Sequence, residues 1–337
     1  MVLRSLLDAL AEPALIVADG RVVIANEAAR GVFGARAEGA DVRAAIRHPA
    51  AVERLLGGAP DAADEVELAG VGEPDRRWTM TVAPLADGTL FVRLVDRSEA
   101  HAAEKMRVDF VANASHELRT PLATLVGYAE TLREQSEEID GPTRERFTAI
   151  VHDEARRMQR LVEDLISLSR IEAERFSTPT DPLALAVLAD EAAESCRGLA
   201  AGRGSGIEIE AEASLPLIAG DRNEILQLLD NLIGNALRYG RPGTPVRVRM
   251  RRDDAMVRLT VSDEGDGIAA EHIPRITERF YRVDPSRSRS LGGTGLGLSI
   301  VKHIVERHRG RLHIESAVGR GTDIHVLLPA AGGAAAE

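Results

Sequence analysis

The stretch FVANASHELRTPL, residues 110–122, lies inside a seven-residue apolar repeat, and its reading decides the architecture of the chain around it. Val111, Leu118, Leu125 and Leu132 recur every seven residues, and Ala114, Leu122, Tyr128 and Ala129 fill the same stripe. That is the seam of a helical bundle. The helix begins near Arg97, because residues 98–106 are mostly good helix formers without Gly or Pro. On the heptad that starts at Val111, His116 takes the sixth position, opposite the seam, and is expected to face solvent. Glu117 follows it and can accept the proton of one ring nitrogen, leaving the other free as a nucleophile. Pro121 removes a backbone donor and is expected to bend the helix.

Working outward, Gly141, Pro142 and Thr143 break the pattern, and Thr143 and Phe147 open a second helix in which Val151, Met158 and Leu165 repeat with Leu161 and Leu168 between them. Two helices joined by a short loop form an antiparallel hairpin with one apolar face still open. Pairing two hairpins into a four-helix bundle closes that face, which predicts a homodimer. Upstream, residues 1–98 read as a small α/β module. Its expected strands are 14–17 and 22–25 about the turn Asp19-Gly20, then 65–68, 77–83 and 89–94, the last two separated by Asp87-Gly88; a helix is expected over 27–33. Downstream, 177–182 is a polar break, and 183–329 reads as an α/β domain. Strands are expected at 207–211, 246–251, 257–263, 311–316 and 322–328, and helices at 183–199, 222–239 and 298–307. The domains are therefore 1–98, 99–175 and 176–330, with an Ala/Gly-rich tail, 331–337, expected to be disordered.

Composition narrows the function. With 337 residues and a formal net charge of −11, the chain lacks the basic surface that nucleic-acid binding requires. One cysteine, Cys196, cannot form an intrachain disulfide, reads as a packed small hydrophobe, and points to a reducing compartment. No apolar run reaches the ~20 residues needed to cross a bilayer, and Asp8 and Glu12 interrupt the one that follows Arg4. A soluble, cytoplasmic protein is expected, although a longer native chain would have room for a membrane anchor. His48, next to Pro49, reads as a surface residue.

Three constellations carry chemistry. On the helix 222–239, Asn231 and Asn235 are four apart and share a face with Glu224 and Gln227, while Leu228, Leu229, Leu232, Ile233 and Leu237 make the rest apolar. Carboxamide oxygens so placed suit Mg²⁺, which takes few protein ligands and keeps phosphates and waters. At the end of the strand 257–263, Asp263 with Gly265 and Gly267 can accept from an adenine amino group while the glycines admit the base. GGTGLGL, residues 292–298, opens a helix, and its backbone amides make a phosphate cradle. It lacks the Lys-Ser/Thr ending of a Walker loop, and no strand precedes it as in a dinucleotide fold.

Residues 110–122 closely resemble the phosphoacceptor box of bacterial sensor histidine kinases. The three constellations resemble, in order and spacing, the asparagine box and two glycine boxes of the catalytic domain shared by those kinases, Hsp90, type II topoisomerases and MutL proteins. ERFYR, residues 278–282, matches the kinase-specific phenylalanine box, and 319–322 matches a late glycine turn. The resemblance spans about 107 to 329. It implies a Bergerat-type sandwich binding ATP and Mg²⁺, with His116 phosphorylated, Glu117 its base, and Thr120 helping to dephosphorylate the partner. By the same resemblance Asn235 ligates Mg²⁺, with Asn231 or Glu224 at one remove, and Asp263 reads adenine. Arg238, Tyr239, Gly265, Gly267, Phe280, Gly293, Thr294, Gly295, Leu296, Gly297, Leu298 and Thr322 complete the ATP site. The resemblance also implies that residues from about 268 to 295 form a mobile lid in which Arg287 and Arg289 could meet phosphates. Arg238 stands where the family has Lys, which keeps charge but changes contact geometry. Transfer to an Asp of a response regulator receiver domain is implied. Residues 1–98 resemble a PAS domain loosely, and this arrangement looks most like the phosphate-regulon sensor subfamily. Three rivals remain: an ATPase clamp without phosphohistidine, a non-catalytic scaffold, and a protein that is chiefly a phosphatase.

Overall fold

The structure is a computed structural model that describes residues 2–57, 65–85, 88–134, 139–174, 177–284 and 293–331. Asp87, residues 135–138 between the two long helices, Arg287, Arg289 and Gly292, and the tail 332–337 lie outside these residues. Two compact units divide between Ala112 and Asn113, inside the first long helix.

The first unit contains α1 (Val2–Asp8), β1 (Ala14–Ala18), β2 (Arg21–Ala25), α2 (Glu27–Phe33), α3 (Val42–Ala45), α4 (Pro49–Leu56), β3 (Val66–Ala69), β4 (Arg77–Pro84), β5 (Leu90–Asp96) and the start of α5 (Ser98–Glu134). Its strands form one antiparallel sheet in the order β2-β1-β5-β4-β3. The β1–β2 turn is made by Asp19 at φ 48° and Gly20 at φ 71°, the left-handed pair that a tight hairpin requires. Leu15, Val22, Met80, Val92 and Leu94 fill the core with Trp78, whose Nε1 donates to Val71 O at 2.9 Å. Asn26 is fully buried and fully used: it accepts from Ala14 N and Ala29 N and donates to Leu7 O, Leu10 O and Glu12 O. It thereby caps α2 and fixes the chain after α1. His48, read as a surface residue, is instead the half-buried residue preceding Pro49 at the start of α4. Pro49 is well suited to that first helical position, which needs no amide donor.

The second unit holds the rest of α5, α6 (Gly141–Ala173), β6 (Asp181–Leu183), α7 (Leu185–Arg203), β7 (Ile207–Ala211), β8 (Ile218–Gly220), α8 (Arg222–Tyr239), β9 (Val246–Asp253), β10 (Met256–Asp263), α9 (Gly297–Arg307), β11 (Arg311–Ala317) and β12 (Gly321–Pro329). α5 is assigned as one helix through Pro121, which is buried, so no helix break separates the two halves of the stripe. Asp140 caps α6 by accepting from Thr143 N at 2.9 Å. Within one hairpin the seam is only half covered. Leu118, Leu125 and Leu132 are partly buried, whereas Leu122, Val126, Val162 and Ile166 remain exposed. Two helices bury one side of each other, and a stripe wider than that contact stays open.

The main sheet of this unit runs β11-β12-β10-β9-β7, with β7 parallel to β9 and the other pairs antiparallel; β6 and β8 form a small second sheet. Val246, Val248 and Met250 of β9 alternate inward, as do Ile324, Val326 and Leu328 of β12. They pack under the helices, where Ile225, Leu228, Leu229, Leu232 and Ile233 of α8 and Ile300, Val301 and Ile304 of α9 are fully buried. Each such side chain contributes roughly 1.5–3 kcal/mol. Cys196 of α7 is buried here, and burial pushes its thiol up. His308 is fully buried after α9; its Nδ1 faces Ile304 O at 2.8 Å and its Nε2 accepts from Asp221 N at 3.0 Å. Burial lowers its pKa, keeping the ring neutral for that acceptor role. Asp221 in turn caps α8 through Asn223 N and Glu224 N, so the polar stripe of α8 is held in register with α9.

Candidate nucleotide and phosphoacceptor site

α8 turns Asn231, Asn235 and Arg238 away from its buried leucines and into a cavity of about 540 Å³. Residues 297–298 at the start of α9, Gly293, Thr294 and Gly295 before it, Asp263 at the end of β10, and Thr322 in β12 line the same space, with Tyr239 and Gly267. Val261, Ile268, Ile276 and Ile324 form an apolar part around Asp263. Gly297 is required where it is: a Cβ there would lie 2.5 Å from Asn231 Oδ1. Gly267 has φ +71°, and a Cβ would lie 2.0 Å from Ala317 O. The Asn231 side chain therefore leaves no room for a Cβ at Gly297, and backbone contact and a positive φ fix Gly267.

Asp263 is the main electrostatic feature of the apolar part. Burial raises its carboxyl from its ordinary value to about 6, against the opposing effect of backbone amides from Gly265 and Thr322. The Gly265 amide donates to Oδ1 at 2.8 Å. At the other end, burial, helped by nearby Arg160, pushes the Arg238 guanidinium below its usual value. A cation held in that way is relieved by an anion. Asn231 is anchored by its Nδ2 donating to Gln227 O at 2.9 Å, and Asn235 Oδ1 accepts from Arg238 at 3.4 Å.

Several expected ATP contacts stand behind the cavity wall. Gly265 acts through its amide on Asp263. Leu296 is fully buried beneath the glycine loop, and its amide donates to Thr294 Oγ1 at 3.3 Å. Phe280 is half-buried at φ 62°, with its amide donating to Gly295 O at 2.8 Å; its neighbours Tyr281 and Arg282 line the cavity instead. Glu224, offered as a residue near the metal, lines no part of the cavity. Its carboxylate is paired with buried Arg307, because the first turn of α8 faces the end of α9.

The hairpin belongs to this site as well. Arg160, Glu163 and Asp164 of α6 form one wall of the cavity, and Asp164 Oδ2 accepts from Thr294 Oγ1 at 2.7 Å. Ser167 and Gln227 meet at 2.5 Å, and Glu172 of α6 pairs with Arg279. His116 is exposed on α5. Next to it, Glu117 Oε2 accepts from Arg282 at 2.9 Å, while the same guanidinium donates to Thr294 O at 2.9 Å. The exposed Thr120 turns its hydroxyl back to His116 O at 3.3 Å, which is ordinary helix back-bonding. The α6 wall and the Glu117–Arg282 link carry no mark in the sequence, because they join segments 60 to 165 residues apart and no local pattern points to them.

Two families match parts of the chain: the His Kinase A phosphoacceptor domain over residues 106–174, and the histidine kinase-, DNA gyrase B- and HSP90-like ATPases over residues 220–332. The chain is 36% identical over 316 residues to the phosphate regulon sensor protein PhoR of Pseudomonas aeruginosa, covering 91% of this chain and 69% of that one. The chain belongs to the two-component sensor histidine kinases. This kinase is also 36% identical over 243 residues to the sensor protein SrrB of Staphylococcus aureus, of which it spans 40%. The fold of the Acinetobacter baumannii histidine kinase AdeS superposes on 64% of the kinase and 98% of AdeS with a TM-score of 0.52 at 22% identity. The kinase is a protein-histidine kinase that uses ATP. None of its described helices is long and apolar enough to cross a membrane.

Proposed function

We propose that the cavity between α8, α9 and β10 presents ATP to His116, that His116 takes the γ-phosphoryl group, and that an aspartate of a response regulator receiver domain then receives it. One observation carries this reading: half-buried Glu117, next to the exposed His116 on α5, is joined through Arg282 to the glycine loop of the nucleotide cavity. Asp263 amid apolar residues suits an adenine, and Arg238 with the Gly293–Gly297 backbone suits phosphates.

Among the described residues no three His, Cys, Asp or Glu side chains cluster to hold a metal. The donor set fits Mg²⁺ carried by the nucleotide, since Asn235, with Asn231 beside it, offers a neutral oxygen and phosphates supply the rest. Bound there, the ion would neutralise charge on the phosphates. The protein's part is positioning. One imidazole nitrogen attacks the γ-phosphorus, the bond to the bridging oxygen breaks, the electron pair leaves with ADP, and Glu117 takes the proton of the other nitrogen.

We infer further that the open stripe of Leu122, Val126, Val162 and Ile166 is covered by a second copy in a four-helix bundle, and that residues 1–98 are a PAS-like sensor, 99–175 the phosphotransfer hairpin and 176–330 a Bergerat-type catalytic domain. The strand order β2-β1-β5-β4-β3 with helices between β2 and β3 supports the sensor assignment. Phosphate signalling is the input suggested by the PhoR relative, and Thr120 supports phosphatase activity toward the regulator. Phosphotransfer profiling tests the reading: phosphorylated kinase is offered every receiver domain of its source organism. Rapid transfer to one receiver supports it; no labelled kinase and no transfer would leave an ATPase clamp or a scaffold. Thr120→Ala is expected to spare labelling and slow dephosphorylation of the partner.

A further inference from the structure

Resting on the assignment of Glu117 as the base, the geometry points to Arg157 of α6 as a positioning residue for phosphoryl transfer. Arg157 Nη2 lies 3.5 Å from Glu117 Oε2, across the hairpin. The Arg282 nitrogen donates to that same oxygen at 2.9 Å. Among the described residues no hydrogen bond reaches Glu117 Oε1. Two guanidinium groups thus take one oxygen of the carboxylate and leave the other for the neighbouring imidazole. A nucleophile, its base and a third group that orients the base is the recurrent arrangement of activated nucleophiles.

The two arginines differ in origin. Arg282 comes from the nucleotide-binding region and engages Glu117 only when that region is docked on the hairpin. Arg157 is built into the hairpin. Its side chain is only 12% exposed, and it is steadied from behind by Glu154, one turn earlier on α6, at 3.6 Å. A guanidinium held between two carboxylates has little rotamer freedom left to lose. Arg157 therefore keeps Glu117 aimed whether or not the catalytic region is in place, and Arg282 adds to that grip at the moment of transfer. Arg157 does not line the nucleotide cavity; Arg160, one turn on, does. Its effect should appear in the chemical step and not in nucleotide affinity.

The test uses the full chain in single-turnover autophosphorylation at saturating MgATP, with the affinity of a fluorescent ATP analogue measured alongside. The variants are Arg157→Gln, Arg157→Lys, Glu117→Gln and the double Glu117→Gln/Arg157→Gln. Arg157→Gln is expected to slow phosphorylation about tenfold to a hundredfold, the scale of a misplaced catalytic group, with affinity unchanged and Arg157→Lys intermediate. In the Glu117→Gln background the Arg157 change should add nothing, because the group it aims is gone. A wild-type rate for Arg157→Gln, an equal loss of affinity, or a full additional loss on top of Glu117→Gln would overturn the assignment. If Arg157→Gln does not fold, Arg157→Lys decides: slowed transfer at unchanged affinity supports it, and a wild-type rate overturns it. A Glu117→Gln variant that labels as fast as wild type would instead refute the reading of Glu117 as the base.

Discussion

Replacing Asp263 by Asn should stabilise the folded catalytic region at neutral pH while removing its affinity for ATP. Burial holds this carboxyl at about 6, against 3.8 for the free side chain. The unfolded chain therefore ionises it first. Well below pH 3.8 it is protonated in both states, and the site's full stability is present. As pH rises toward 6 the unfolded state gives up its proton more readily, so stability falls, and above that the loss is complete. The difference of about 2 pH units corresponds to about 3 kcal/mol at most. Asn matches Asp in shape and can still accept the Gly265 amide at Oδ1, but does not titrate. The assay is urea unfolding of wild type and Asp263→Asn at pH 5 and pH 8, with nucleotide binding at pH 8. The variant is expected to gain stability over wild type at pH 8, to keep only about half of that advantage at pH 5, and to lose binding of adenine nucleotides. A variant less stable than wild type at pH 8, or a stability difference independent of pH, would refute the argument that Asp263 is a strained anion awaiting a donor.

Two further expectations follow from the packing. Gly267→Ala places a Cβ 2.0 Å from Ala317 O at φ +71°, so the loop beside Asp263 must shift; nucleotide titration should show loss of binding while the hairpin retains its helical circular dichroism. Arg307→Ala strands Glu224, whose side chain is only 9% exposed, and should cost about 3–5 kcal/mol in denaturant unfolding; replacing both by apolar residues of similar size should recover most of it.

The elements that sequence revealed well are those whose burial repeats locally. The α8 stripe of leucines, the alternation in β9 and β12, and the glycine loop before α9 all carry their pattern within a few residues. The hairpin turn at Asp19-Gly20 was legible because few residue pairs tolerate two positive φ angles. What was not legible depends on distant partners. β6 and β8 are three residues each and exist by pairing with one another. Glu224 looked like part of the polar face of α8, but Arg307, 83 residues away, draws it off. Phe280 carries a motif position, and the φ of 62° that turns its amide toward Gly295 is invisible in the sequence. Asp164 and Arg160 lie beside the apolar repeat of α6 with no local mark of function; only the packing of α9 against α6 makes them a wall of the cavity.

The activity proposed for this kinase comes down to one transfer, from nucleotide in this cavity to the ring of His116. Incubating the kinase with γ-labelled ATP, then mapping the label by fragmentation under alkaline conditions, tests that transfer directly. An acid-labile, base-stable phosphoryl group is expected at residue 116, absent from both His116→Gln and Asn235→Ala. A label carried elsewhere, or one undiminished in His116→Gln, would contradict it.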